Sequence, residues 1–188
     1  MADASRLPVD AAAALLRTGG VVAYPTEGVW GLGCDPFDEA AVRRLLALKQ
    51  RAVDKGVILV AADAMQFEGL ADWSTIPQAR RAEILASWPG PHTWIVPATP
   101  RVPSWITGAH AGVALRASAH PVVAALCRAH GGPIVSTSAN TAGAPPPRRF
   151  EDLEPAIRDA VDGCAGGETG GRDGPSTIRD ARTGAVLR

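Results

Sequence analysis

Lysine is nearly missing from this chain. Of 19 basic residues only Lys49 and Lys55 are lysines, and both lie in one segment, Lys49-Gln-Arg-Ala-Val-Asp-Lys55. Net charge is missing as well: 19 Lys and Arg balance 19 Asp and Glu, which argues against a surface that coats nucleic acid indiscriminately. Cys34, Cys127 and Cys164 are odd in number and far apart, with no Cys-x-x-Cys pair. They indicate neither a disulfide framework nor a zinc site, and a reducing cytoplasm is the expected compartment. No apolar run approaches a membrane span, and the amino terminus, carrying Asp3 without an uninterrupted apolar stretch, does not read as a secretory leader. The expectation is a soluble protein with no membrane contact.

Motifs are missing too. There is no Gly-x-x-x-x-Gly-Lys-Ser/Thr phosphate loop, Gly31-Leu-Gly33 lacks the third glycine of a dinucleotide fingerprint, and no Gly-x-Ser-x-Gly elbow is present. His92, His110, His120 and His130 show no metal-ligand spacing, and His92 and His120, each beside a proline, read as turn residues. No metal site is expected.

What is present is enough apolar residue, 46% of 188, to bury one substantial core, so a single domain over residues 1–188 is expected. Pro8–Arg17 reads as a helix stopping at Gly19-Gly20, and Val21–Tyr24 as a strand. Thr26–Gly28 and Gly31–Gly33 read as a glycine-punctuated loop. Asp38 reads as the N-cap of a helix running to about Lys49, with Val42, Leu45 and Leu46 on one face and Lys49 next on that stripe. A lysine there either snorkels past the core edge or points into a cleft. Further strands are expected at Val57–Val60, Thr93–Val96, Val113–Leu115 and Pro133–Val135. Helical stretches are expected near Asp63–Leu70, Ile76–Ser87 and Pro121–His130, the last placing Cys127 in the core. Ala144–Pro147 and Gly163–Gly174 read as loops. The pattern is mixed α/β, with the strand order open.

Two features carry chemistry. Between Val42 and Lys55 the cations Arg43, Arg44, Lys49, Arg51 and Lys55 face one acid, Asp54. Arg43 and Arg44 read as a solvated helix face, whereas a compact ammonium beside a guanidinium fork suits phosphate oxygens. After the Pro133–Val135 strand come Ser136, Thr137, Ser138 and Asn140, which either cap their own turn or, with Arg116 at the end of an apolar strand, recognise phosphate and carboxylate.

Six blocks in order, Tyr24-Pro-Thr-Glu-Gly-Val-Trp-Gly-Leu-Gly33, Lys49-Gln-Arg51, Trp88-Pro-Gly-Pro-His-Thr93, Val113-Ala-Leu-Arg116 with His120-Pro121, Ser136-Thr-Ser-Ala-Asn140 and Pro175-Ser-Thr-Ile178, together resemble the YrdC-like threonylcarbamoyl-AMP synthases in their short, single-domain form. The resemblance spans roughly residues 10–187. It implies a twisted open mixed α/β sheet with flanking helices and a positively charged cleft. It also implies an enzyme, a nucleotidyltransferase that joins L-threonine, bicarbonate (or CO2) and ATP into threonylcarbamoyl-AMP and pyrophosphate. The adenylate would pass to proteins of the tRNA threonylcarbamoyl-transfer machinery, with tRNA contact a further expectation, and Mg2+ would accompany ATP.

By the same similarity Lys49 and Arg51 would meet the phosphates and the developing charge, with Lys55 nearby, and Arg116 the carboxylate or carbamate end. Ser138 and Asn140 would hold the adenylate, Thr26 and open space at Gly28 would border threonine, and Ser136 and Ser176 would close the pocket. Relatives commonly carry proline where Ala52 stands, a small apolar residue at His92 and serine at Thr141; Ala52 is expected to loosen the loop that aims Lys55. The alternative is a tRNA- or double-stranded-RNA-binding module without catalysis. Zero net charge and the absence of a basic-aromatic run among five Trp, three Phe and one Tyr weigh against it.

Overall fold

The computed structural model describes residues 6–174 and 176–187. Asp3 at the amino terminus and Pro175 of the last sequence block lie outside the described residues.

The elements are β1 (Arg6–Leu7), α1 (Val9–Arg17), β2 (Val22–Pro25), β3 (Trp30–Gly33), α2 (Glu39–Leu48), β4 (Ile58–Ala61), α3 (Gln78–Ala86), β5 (His92–Pro97), α4 (Ser104–Thr107), β6 (Gly112–Ala117), α5 (Pro121–His130), β7 (Ile134–Ser138), α6 (Pro155–Arg158), β8 (Gly163–Ala165) and β9 (Thr177–Asp180). Among the described residues the strands form a nine-stranded open mixed sheet in the order β1-β8-β2-β3-β7-β4-β6-β5-β9. Strand β7 is antiparallel to both of its neighbours and divides its length between them: Ile134–Ser136 pair with β4, and Thr137–Ser138 with β3.

Side chains alternate across a strand, so each face has its own helices. Leu32, Leu59, Trp94, Leu115 and Val135 share one core with Val42, Leu45 and Leu46 of α2 and Ile84 of α3. Val22, Tyr24, Val60 and Ile134 share a second core with Ala12, Ala13 and Leu16 of α1 and Val123, Leu126 and Cys127 of α5. Helix α2 begins where Asp38 accepts from the Ala41 amide at 3.1 Å. Helix α5 begins at Pro121 and ends on left-handed Gly131, as a proline start and a glycine stop dictate. Cys127 is buried, with its thiol on the Val60 carbonyl and its pKa pushed up to about 12 by burial.

The structure corrects several expectations. Gly31–Gly33 is not loop but part of β3. Its glycines mark close approach, since a Cβ on Gly33 would stand 2.6 Å from the Val135 carbonyl and 2.7 Å from the Tyr24 ring. Ser136–Ser138 lie within β7 rather than after it. Gly163–Ala165 is strand β8, pairing between β1 and β2. The Asp63–Leu70 helix reduces to a 3-10 turn at Ala64–Phe67. His92 opens β5 opposite Thr177 instead of forming a turn. Ala52 has φ −64°, the angle a proline ring imposes, so the backbone here keeps the proline-like conformation without the proline.

Candidate active site

Helices α1 and α5 cover Val60 and Ile134, leaving the other half of that face to a cleft of about 800 Å3. Its floor is one register row: Asp180 of β9 lies beside Ile95, Ile95 beside Ala114, Ala114 beside Ile58, and Ile58 beside Ser136. Two residues further along their strands, Ser138 lies beside Gly31 and Arg116 beside Val60. The cleft therefore crosses the point where β7 changes partner. Ligands in open α/β sheets favour such points of topological change.

Of the ten residues expected at the site, nine line this cleft: Thr26, Lys49, Arg51, Lys55, Arg116, Ser136, Ser138, Asn140 and Ser176. Lys49 caps the end of α2 and is 3% exposed. Its ammonium donates to the Ser138 carbonyl and, at 2.6 Å, to the Asn140 carbonyl, so it points into the cleft and pins the chain leaving β7. Burial, then the neighbouring Arg51 charge, lowers its pKa to about 8, with Glu154 opposing. Arg51 donates to the Gly56 carbonyl at 3.1 Å. Lys55 ends the following 3-10 turn and is exposed.

Arg116 is 7% exposed and stands 3.3 Å from Glu27 Oε2. The Thr26 hydroxyl donates to the Val29 carbonyl at 2.7 Å, and Ser176 shares a 2.8 Å bond with Thr93. The Asn140 amide nitrogen donates to the Thr141 and Ala144 carbonyls, while its Oδ1 is buried with no donor on it among the described residues. Thr141 donates through both backbone and hydroxyl to Glu154, a contact serine could also make.

Gly28 alone of the ten does not line the cleft, and the open space expected there is absent. A Cβ at Gly28 would run into the Gly174 carbonyl, so the residue serves the close approach of the 172–174 backbone. His110, which has no metal-ligand spacing in the sequence, is exposed and lines the cleft beside Thr107. Arg43 and Arg44 stay on the outer face, paired with Glu39 and Asp162.

These features define an α/β protein that presents cations, hydroxyls and an apolar stretch (Ile58, Ile95, Ile106, Ile178) to a ligand across one sheet face. A family model described as Sua5/YciO/YrdC, telomere recombination, matches residues 14–188, and the chain belongs to that family. It is similar to the threonylcarbamoyl-AMP synthase of Stenotrophomonas maltophilia, 60% identical over 182 residues that make up 97% of this chain and 98% of the relative. The synthase of the same name from Xanthomonas euvesicatoria is 58% identical over 182 residues, 97% of each chain. Among solved structures, P. abyssi Sua5 complexed with L-threonine matches with a TM-score of 0.83 at 36% identity, over 92% of this chain and 50% of that one. The chain thus spans nearly the whole of these two synthases and half of the P. abyssi protein.

Proposed function

We propose that this protein is an L-threonylcarbamoyladenylate synthase, a single YrdC-like domain that makes threonylcarbamoyl-AMP and pyrophosphate from L-threonine, bicarbonate or CO2, and ATP. The observation that carries the reading is the convergence of Lys49, Arg51, Lys55 and Arg116 with Ser136, Ser138 and Ser176 on one cleft, in a chain 60% identical to a threonylcarbamoyl-AMP synthase.

The chemistry needs no protein nucleophile. The threonine amine and bicarbonate give a carbamate with loss of water. A carbamate oxygen then attacks the α-phosphorus in line, and pyrophosphate leaves with the electrons of the broken P–O bond. The protein's work is to position the reactants and stabilise negative charge growing on the phosphate oxygens. Lys49 and Arg51 meet the phosphates, with Lys55 at the mouth. Arg116 takes the threonine carboxylate, Thr26 and Ser176 border the amino acid, and Ser138 and Asn140 hold the adenylate. Gly28 contributes by seating the 172–174 backbone against the Thr26 loop. The isoleucines suit the flat face of a nucleobase.

Among the described residues no three His, Cys, Asp or Glu side chains gather as a metal-holding group, so Mg2+ would travel on the ATP phosphates. No helix of the described residues is long and apolar enough to cross a membrane. The adenylate would be supplied in the cytoplasm to the tRNA threonylcarbamoyl-transfer proteins.

Pyrophosphate release tests the reading. It is expected to require ATP, L-threonine and bicarbonate together, and Lys49→Ala is expected to lower kcat/KM by about 30- to 1,000-fold, the range for loss of one preorganised charge contact. ATP and RNA binding without threonine-dependent turnover would replace the synthase with an RNA-binding module.

A further inference from the structure

A buried guanidinium is useful to a ligand only if something holds its fork in place, and Arg116 has little to hold it. It ends an inward row on β6, and among the described residues its charge contact is Glu27 Oε2 at 3.3 Å. Glu27 is itself fixed from the far side. Its Oε1 accepts from the Ser118 hydroxyl at 2.8 Å and the Ala119 amide at 3.2 Å, two groups just beyond Arg116 on the same chain. Ser118 is 1% exposed, and its own amide donates to the Ala61 carbonyl at the end of β4. The carboxylate is therefore clamped to the sheet end that carries Arg116.

The backbone of Glu27 belongs to the opposite wall. It follows Thr26, its carbonyl accepts from the Arg172 amide at 2.9 Å, and the Thr26 carbonyl accepts from the Gly170 amide at 3.0 Å. Glu27 thus ties the β2–β3 loop to the 170–174 segment through its backbone and to the end of β6 through its side chain. Glu27 is not among the residues lining the cleft, so it acts through Arg116 rather than on a ligand.

We propose that Glu27 is the positioning residue for Arg116, fixing the guanidinium toward the carboxylate of the amino-acid substrate and setting its distance from the Thr26 wall. This rests on the reading of Arg116 as the carboxylate partner. Charge alone would give the opposite sign: removing a carboxylate beside Arg116 leaves the guanidinium less neutralised and more attractive to an anion. Positioning requires the loss of Glu27 to weaken threonine binding despite that gain, because an arginine freed from its clamp must be reordered at each binding event.

Calorimetric titration of L-threonine into the full chain separates these cases, using wild type, Glu27→Gln, Ser118→Ala, Arg116→Gln and the Glu27→Gln/Arg116→Gln double variant, with ATP titration of each as the control. Glu27→Gln is expected to weaken threonine binding about tenfold, the effect of one charge-assisted contact, and to leave ATP affinity within about twofold. Ser118→Ala keeps both charges and is expected to weaken threonine binding by a smaller factor, providing the test should Glu27→Gln fail to fold. The double variant is expected to bind threonine no more weakly than Arg116→Gln alone. Unchanged or tighter threonine binding in Glu27→Gln, or equal losses for threonine and ATP, overturns the proposal while leaving Arg116 in its role. Unchanged threonine binding in Arg116→Gln overturns the carboxylate reading itself, and the proposal with it.

Discussion

An ammonium has three protons, and Lys49 gives two of them to the Ser138 and Asn140 carbonyls, leaving one, with the charge, for a ligand. With its pKa lowered to about 8, the group loses that proton as pH rises through about 8. The remaining amine can keep both carbonyl bonds but has no charge for phosphate. ATP affinity is therefore expected to fall between pH 7 and pH 9, and titrations of Lys49→Arg over the same range are expected to be nearly flat. Stability moves the other way. Between about 8 and the ordinary value of 10.5 the unfolded chain holds more protons than the folded one, so this residue's contribution to unfolding free energy rises with pH in that window. Lys49 was legible because it interrupts an apolar stripe in a chain almost without lysine. Glu27 was not: a carboxylate in the four-residue turn between β2 and β3 has no periodicity, and its importance comes from Ser118 and Arg116, some ninety residues away.

The end of α2 aims two cations at once. Gln50 donates to the Ala47 carbonyl and Arg51 to the Leu46 carbonyl, each at 3.0 Å, the paired closure that usually has glycine at the left-handed position. Here that position is Gln50, with φ 51°. Gln50→Gly is expected to raise unfolding free energy by about 1 kcal/mol with ATP affinity unchanged. Gln50→Val, which resists the left-handed region, is expected to lower it by about 1–2 kcal/mol and weaken ATP binding. Urea denaturation and ATP titration check both. Helices α1, α2 and α5 were readable because caps and stripes act locally. Strands β1, β8 and β9 were not, being two to four residues long and defined by pairing partners distant in sequence. For the same reason Ser136–Ser138 read as following the strand, either capping a turn or meeting a ligand, rather than as part of β7: their hydroxyls look like capping groups until β3 and β4 arrive on either side.

Across the whole molecule the cleft floor is shared by β7 and the four strands from β4 to β9, so a bound ligand bridges five strands of the sheet. At one hundred times its dissociation constant, ATP is expected to add about 2.7 kcal/mol, raising Tm by roughly 5–11 °C for a chain of this size. Differential scanning fluorimetry with and without ATP is expected to show this shift, and Lys49→Ala is expected to lose most of it. Because the floor is a single row of register partners on one face, the site is far more sensitive to chain length than to residue type. Deleting one residue from β6 ahead of Arg116 would turn the guanidinium into the opposite core and bring Leu115 or its neighbour to the ligand. A one-residue insertion or deletion in any of these strands is thus expected to dismantle the site, whereas changed loop lengths away from the row are expected to leave it intact.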